Sequence, residues 1–486
     1  MTNHAIVWFR QDLRLADNPA MTEALTSGYS VTPVYIHAPA EEGKWPLGGA
    51  TKFWLHQSLK SLTKDLHSLK SKLILRVSDS SLEELKKLIE ETDATAVFWN
   101  RRYEPAAIKR DTEIKEALTK QGIEVHSYNA SLLFEPWTIK NKSEKPFRVF
   151  TPFWRHCISI AEPPHPISKP TKIESPAQFP HSIKLEDLEL EPNIEWAEGI
   201  REAWTPGEEG ADAQVEKLLV DVLQHYGEGR NRPDRVGVSR ISPHLHFGEI
   251  GPRQIWHRVK HEVGTKRGAK SKEGAQIYLK EIVWREFAYH LLYHFPHTEN
   301  LPLDEKFRHF PFKRDAPSLK RWQKGMTGYP LVDAGMRELW HTGWMHNRVR
   351  MVVGSFLVKD LLLPWQAGAK WFWDTLVDAD LASNSMGWQW VAGCGADAAP
   401  YYRVFNPTLQ GKKFDPNGDY VRKWVPELAG LSGDKIHTPW LLSEEELERA
   451  GIVLGKSYPT PIVDHALARL RALDALKSLK EDTILK

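Results

Sequence analysis

Five short apolar runs separated by helical segments fill about the first 130 residues, and this alternation limits the fold more than any other feature of the chain. The runs are Ala5–Arg10, Thr32–His37, Leu73–Val77, Ala96–Asn100 and Glu124–Asn129. Helical spacing dominates Ala50–Leu69, Ser81–Glu91 and Pro105–Gln121 between them. Such alternation implies a parallel sheet with helices on both faces. No GxGxxG follows the first run and no GK[ST] phosphate loop occurs, so the ordinary nucleotide fingerprints are absent. Sheets of this kind take ligands beyond the carboxyl ends of their strands.

A chain of 486 residues exceeds one ordinary core, and two domains are expected. Prolines 163, 164, 166, 170, 176, 180 and 192 mark a long connector, and helical patterns alone follow from about Ala211. The boundaries read 1–131, 132–208 and 209–486: an α/β domain with a Rossmann-like parallel sheet, a connector, and an all-α domain. No apolar run reaches the ~18 residues of a membrane span, and the N-terminus lacks a signal-peptide core. Cys157 and Cys394, the only cysteines, exclude a disulfide framework and fit a reducing cytoplasm. The formal charge of +2 leaves any nucleic-acid binding to local patches. Arg230, Arg232 and Arg235, then Lys266, Arg267, Lys270 and Lys272, then Arg348 form such patches, or equally solvated faces.

Residues 339–403 hold seven of the 20 tryptophans, with Asp378, Asp380, Asn347, Arg348, Arg350 and Asn384 among them. Two readings stand: an aromatic-walled cofactor cavity, or a tryptophan-rich helical core. Tyr278, Glu281 and Arg285 share a helical face with Trp284 nearby, which suits either base recognition or a surface Glu–Arg pair above a core indole. Trp344, Asn347, Arg350 and Met351 repeat the pattern. Trp388 and Trp390 lie about 200° apart on a helix, so they face different surroundings. Ser239-Arg240-Ile241-Ser242-Pro243 reads as a phosphate-binding turn or as a plain helix cap.

Together these stretches resemble the photolyase/cryptochrome family over essentially the whole length. The similarity lies in VWFRQDLRLADNPA, RVGVSRISPHLHFGEIGPRQIW, KEIVWREF, TGYPLVDAGMRELWHTGWMHNRVRMVVGSFLVKDLL and DADLASNSMGWQWVAGCGADAAPYYRVFNP. The resemblance implies an antenna domain, a helical domain holding FAD, and blue-light-driven repair of cyclobutane pyrimidine dimers in ultraviolet-damaged DNA, by a cytoplasmic monomer. It implies that Tyr226, Ser239, Arg240, Ile241 and Ser242 hold the FAD phosphates. Asp378 and Asp380 line the flavin and ribose, Arg350 pairs with Asp378, and Asn384 faces flavin N5; Tyr278, Arg285 and Asn347 complete the cofactor set. Glu281, Trp284, Asn347, Arg348, Met351 and Trp390 match the dimer pocket, with Arg232 on DNA, and Trp388 and Trp365 match the inner electron-transfer chain.

Side chains refine the subclass. Repairers of a second ultraviolet lesion carry histidine where Asn347 stands, and plant cryptochromes carry aspartate where Asn384 stands. Both identities favour dimer repair over the alternative, a light-sensing cryptochrome without repair. WNRRYEPAAIKRDTEIKEAL and SYNASLLFEPW resemble the bacterial class near plant cryptochromes, which implies a 5,10-methenyltetrahydrofolate antenna. Two positions depart from the family pattern. Phe312 replaces the outermost tryptophan of the electron chain, leaving Tyr401, Tyr402, Trp371 and Trp373 as candidates, and Val238 replaces a common threonine.

Overall fold

The computed structural model describes residues 3–160, 162–192, 196–265, 271–398 and 402–484, with side chains to 479. Lys266, Arg267, Lys270 and Tyr401 therefore lie outside the described residues.

All five expected strands form: β1 (His4–Phe9), β2 (Ser30–His37), β3 (Ile74–Val77), β4 (Ala96–Asn100) and β5 (Glu124–Tyr128). Every pairing is parallel and the order is β3-β2-β1-β4-β5. β1 and β4 are buried throughout, as their unbroken apolar sequences require of strands covered on both faces, whereas edge strand β5 is mostly half-exposed. The covering helices are α1 (Pro19–Thr26), α2 (Gly49–Ser68), α3 (Ser81–Thr92) and α4 (Pro105–Lys120). Proline opens α1 and α4, and Asn18 and Ser80 cap α1 and α3 with their side chains. The order reverses beside β1, whose neighbours β2 and β4 are reached by chains running opposite ways across the sheet.

The connector is not featureless. It contains α5 (Phe150–Ser159), a helix absent from the sequence reading. Its apolar residues Phe150, Phe153 and Cys157 are spaced by three and four and are buried.

Past β5, helices are the only regular elements among the described residues, apart from an isolated bridge between Leu454 and Tyr458. None is long and apolar enough to cross a membrane. The chain divides into two compact units that cut across the sequence boundary. The first is Met1–Asp221, Ser239–Pro296 and Val377–Leu381; the second is Val222–Val238, His297–Leu376 and Ala382–Lys486. Ser239–Pro296 joins the sheet unit because buried polar groups tie it there. The Leu13 amide donates to the Phe247 carbonyl at 3.0 Å, and Arg285 donates to the Ser131 carbonyl at 2.6 Å. Glu286 accepts the amides of Leu133 and Phe134 at 2.9 and 3.2 Å.

In the second unit, buried Asp333 opens the Pro330–Thr342 helix and organises the turn before it. It accepts from the Thr327 amide and hydroxyl at 2.6 and 2.7 Å, the Gly328 amide at 3.0 Å and the Tyr458 hydroxyl at 2.7 Å.

Burial raises the Glu286 carboxyl from 4.5 to about 7, against the opposing pull of Arg285 and the two amides. Between those two values the folded chain holds a proton that the unfolded chain releases, so stability falls as pH rises through the window and levels off above it. Glu286→Gln keeps an acceptor for the amides and removes that slope. Urea midpoints measured from pH 5 to pH 8 check this; parallel curves for the two proteins would contradict it.

Candidate functional site

In the first unit the Lys272–His294 helix supplies four of the predicted residues. Tyr278 is buried, and burial pushes its hydroxyl strongly upward. Glu281, Trp284 and Arg285 are half-buried. Arg285 lies 4.8 Å over the Tyr289 ring besides holding Ser131. The Tyr289 hydroxyl donates to the Asp380 carboxylate, and the Ser242 hydroxyl donates to Asp378 at 2.6 Å. Both aspartates are nearly buried. The turn leading to Ser242 is built with Arg240 at φ 52°, a left-handed conformation costly for a branchless but β-carbon-bearing residue. The Ser242–Asp378 and Tyr289–Asp380 bonds thus join this turn, the Lys272–His294 helix and both aspartates within one unit. The Arg240 guanidinium lies 4.2 Å over Trp204, and Ile241 is core.

A small polar hollow beside this group is lined by Asp12, Arg102, Glu104, His246, Arg285 and Tyr289. His246 is buried, and neither ring nitrogen has a hydrogen-bond partner. Burial holds it below its ordinary value, opposed chiefly by Asp380 and Glu104. A second, larger hollow is walled by Trp8, Tyr35 and Phe247 with Arg10, Glu42 and Arg102. Arg10 lies 4.3 Å over Trp8, and Arg102 grips Glu42 with two bonds of 2.6 and 2.8 Å. Both hollows open at the carboxyl ends of β1 and its neighbours, where the strand order reverses.

In the second unit, Asn347 begins the Asn347–Ser355 helix and is exposed. Arg348 donates to Asn231 at 2.5 Å and lies 4.5 Å over Phe414, with Met351 sulfur 3.8 Å away. Burial lowers its guanidinium value, and Arg230 and Arg403 lower it further. Like charge near Arg348 thus weighs against its cation, a setting that a bound anion would relieve. Arg232 pairs with Asp234 at 2.8 and 2.5 Å. Tyr226 is buried with Arg230 6.0 Å over its ring, and Arg350 donates to the Met345 carbonyl at 2.7 Å.

Asn384 donates to the Ala369 carbonyl at 3.1 Å, leaving its amide oxygen as an acceptor. Trp388 and Trp390 face different surroundings, as their spacing predicts: Trp388 is buried, while half-buried Trp390 donates to the Asp397 carbonyl at 3.1 Å. The ring neighbours of Trp388 are Phe372 at 5.0 Å and Trp322 at 6.3 Å. Trp365 is buried at the start of its helix. Phe312 sits 4.6 Å from Phe310, which lies 6.3 Å from Tyr402, and Lys359 stands 4.3 Å over that tyrosine. Trp371 stacks on exposed Trp340 at 5.9 Å.

Two family descriptions match the chain: DNA photolyase over residues 5–171, and FAD binding domain of DNA photolyase over residues 278–478. A deoxyribodipyrimidine photo-lyase of Agrobacterium fabrum is 48% identical over 483 residues, 99% of each chain. The chain belongs to the photolyase/cryptochrome family. Cryptochrome-1 of Arabidopsis thaliana is 41% identical, across 98% of this chain and 70% of its own. A crystal structure of a bacterial class III photolyase from Agrobacterium tumefaciens superposes with a TM-score of 0.95 at 47% identity, covering 99% of this chain and 98% of that one.

The FAD-binding region of the family is therefore present, and the described groups fit such a cofactor. Hydroxyls on Ser239 and Tyr278 suit phosphate oxygens, and buried carboxylates suit ring N–H and ribose hydroxyls. His246 and Tyr289 escaped the sequence reading. Tyr289 carries a faint signal, four residues beyond Arg285 and on its face; His246 reads only as part of an apolar helix. Trp322 gave none, since ring contacts across distant segments have no periodicity.

A methyl group on Gly368 would lie 2.1 Å from the Trp388 ring. Gly368→Ala is expected to cost about 1–3 kcal/mol by overpacking and to displace that indole. Urea unfolding of the two proteins measures it; an unchanged midpoint would show that Trp388 can yield.

Proposed function

We propose that this chain is a light-driven repair enzyme that splits cyclobutane pyrimidine dimers in ultraviolet-damaged DNA. One observation carries the reading: a carboxylic acid, Glu281, and an indole, Trp284, stand three residues apart on one helix, both half-buried. An acid beside an aromatic plate suits a pyrimidine that is stacked and hydrogen-bonded at once. Enzymes acting on bases in duplex DNA, photolyases included, take them out of the stack, and damage lowers that cost. Arg348, with Arg230 and Arg403, supplies cationic charge for the DNA backbone. Trp390, Asn347 and Met351 are assigned to the lesion by resemblance.

Bound FAD, fully reduced, supplies a light-driven electron. By resemblance Tyr226, Ser239, Arg240, Ile241 and Ser242 would hold its phosphates, Asp378 and Asp380 would line its flavin and ribose, Tyr278 and Arg285 would complete the set, and Asn384 would offer an acceptor oxygen. Glu281 hydrogen-bonds the pyrimidine and stabilises the negative charge that the dimer gains. Trp388 and Trp365 carry electrons inward when the cofactor must be reduced. The aromatic hollow at the carboxyl ends of β1 and β2 supports a chromophore in the first unit, and 5,10-methenyltetrahydrofolate is the antenna we propose. One chain provides every residue in these roles, so a monomer suffices. Burial pushes the Cys394 thiol up to about 12 and Cys157 further, which suits unreactive thiols in a reducing cytoplasm. A signalling cryptochrome would need neither Glu281 nor Trp284 for these roles.

Glu281→Ala should lower repair per absorbed photon several-fold with FAD content unchanged. Yield equal to that of the parent would remove Glu281 from the mechanism. Trp388→Phe should abolish photoreduction yet repair normally once the cofactor is reduced chemically. Normal photoreduction in that variant, followed by flavin absorbance, would send the electron by another route.

A further inference from the structure

Half-buried side chains on a helix ordinarily exchange rotamers within nanoseconds. Trp284 is held from two sides by its own unit. The Phe150 ring lies flat against it, centroids 3.6 Å apart and planes 9° from parallel. Phe287, fully buried, meets its edge at 5.8 Å and 76°. Phe150 and Phe287 also touch each other, at 5.9 Å and 69°, so the three rings close a triangle with Trp284 as the outer member. Among the described residues no further ring lies against Trp284.

Phe150 cannot easily withdraw. It is the first residue of α5, and that helix is anchored on the Lys272–His294 helix. Phe153 packs against Phe287 and His290, each at 5.1 Å, and the Phe147 amide donates to the His290 ring at 3.0 Å. Burial lowers His290 to about 3, so its ring stays neutral and able to accept that bond at ordinary pH.

We propose that Phe150 is a positioning residue for lesion recognition: it backs one face of Trp284 and so presents the opposite face, at a fixed angle, to a flipped pyrimidine. This rests on Trp284 being the stacking plate of the proposed function. A plate fixed from behind loses little freedom when a base stacks on it, whereas an unbacked indole must be ordered at the expense of affinity. A segment that reads as connector thereby shapes the lesion site.

The test compares reduced, FAD-loaded wild type with Phe150→Leu, Phe150→Tyr and Trp284→Ala. Kd is measured for oligothymidine with and without a cyclobutane dimer. Phe150→Leu should weaken dimer binding about two- to tenfold, the range of one aromatic pair. Binding of undamaged DNA, FAD content and repair per photon at saturating DNA should not change, and Phe150→Tyr should restore the affinity. Phe150→Met, which fills the space without a ring, covers the case in which leucine disturbs the fold. Wild-type dimer affinity in the ringless variants, with Trp284→Ala impaired, would overturn the proposal alone. Tighter binding would overturn it too, since Phe150 would then occupy the face a base needs. Trp284→Ala binding like wild type would overturn the underlying reading, and this proposal with it.

Discussion

The first unit depends on one buried guanidinium. Arg14 is 1% exposed and donates to the carbonyls of Gly248, Asp17 and Ala130 at 2.8, 2.7 and 2.7 Å, with the Asp17 carboxylate 3.8 Å away. Burial pulls its pKa down, and Asp17 and Asp12 oppose that pull. An ion taken out of water at a cost of several kcal/mol needs several partners at once. Those partners come from the turn after β1, the exit of β5, and the loop following the Ser242–His246 helix. Satisfying Arg14 therefore fixes where the phosphate-binding turn can stand relative to the sheet. Ser242 then meets Asp378, and Tyr289 meets Asp380.

The Lys272–His294 helix carries two tasks. Glu286 and His290 hold residues 133–134 and the α5 segment, and Arg285 holds Ser131. Tyr278 and Glu281, on the face shared with Arg285, and the neighbouring Trp284 belong to the candidate site. The clamping groups are buried and polar, so their directional bonds set the rotation of the helix about its axis. That rotation decides where Glu281 and Trp284 point. A residue such as Glu286, remote from any substrate, thus contributes to the site through geometry.

Much of this was legible in the sequence. The central strands β1 and β4 declared themselves because burial on both faces favours long apolar runs. Trp388 and Trp390 declared their different surroundings through helical spacing, and Tyr278, Glu281 and Arg285 their common face. What stayed hidden was non-local. Phe150 sits in proline-rich surroundings that read as linker, and nothing nearby announces its stack on Trp284 across 134 positions of sequence. The pairing of Arg232 with Asp234, two residues on, is likewise not announced by the basic run around it. Ser239–Pro296 carries helical periodicity, yet it clusters with the sheet because of hydrogen bonds that periodicity does not encode.

Repair itself is the most direct measure of the central claim. Reduced protein is mixed with ultraviolet-irradiated oligothymidine under blue light, with a dark control, and the thymine absorbance restored by dimer splitting is followed. The account predicts recovery in light only, catalytic in protein. Absence of recovery with FAD bound and reduced would contradict it and leave the signalling cryptochrome as the better description.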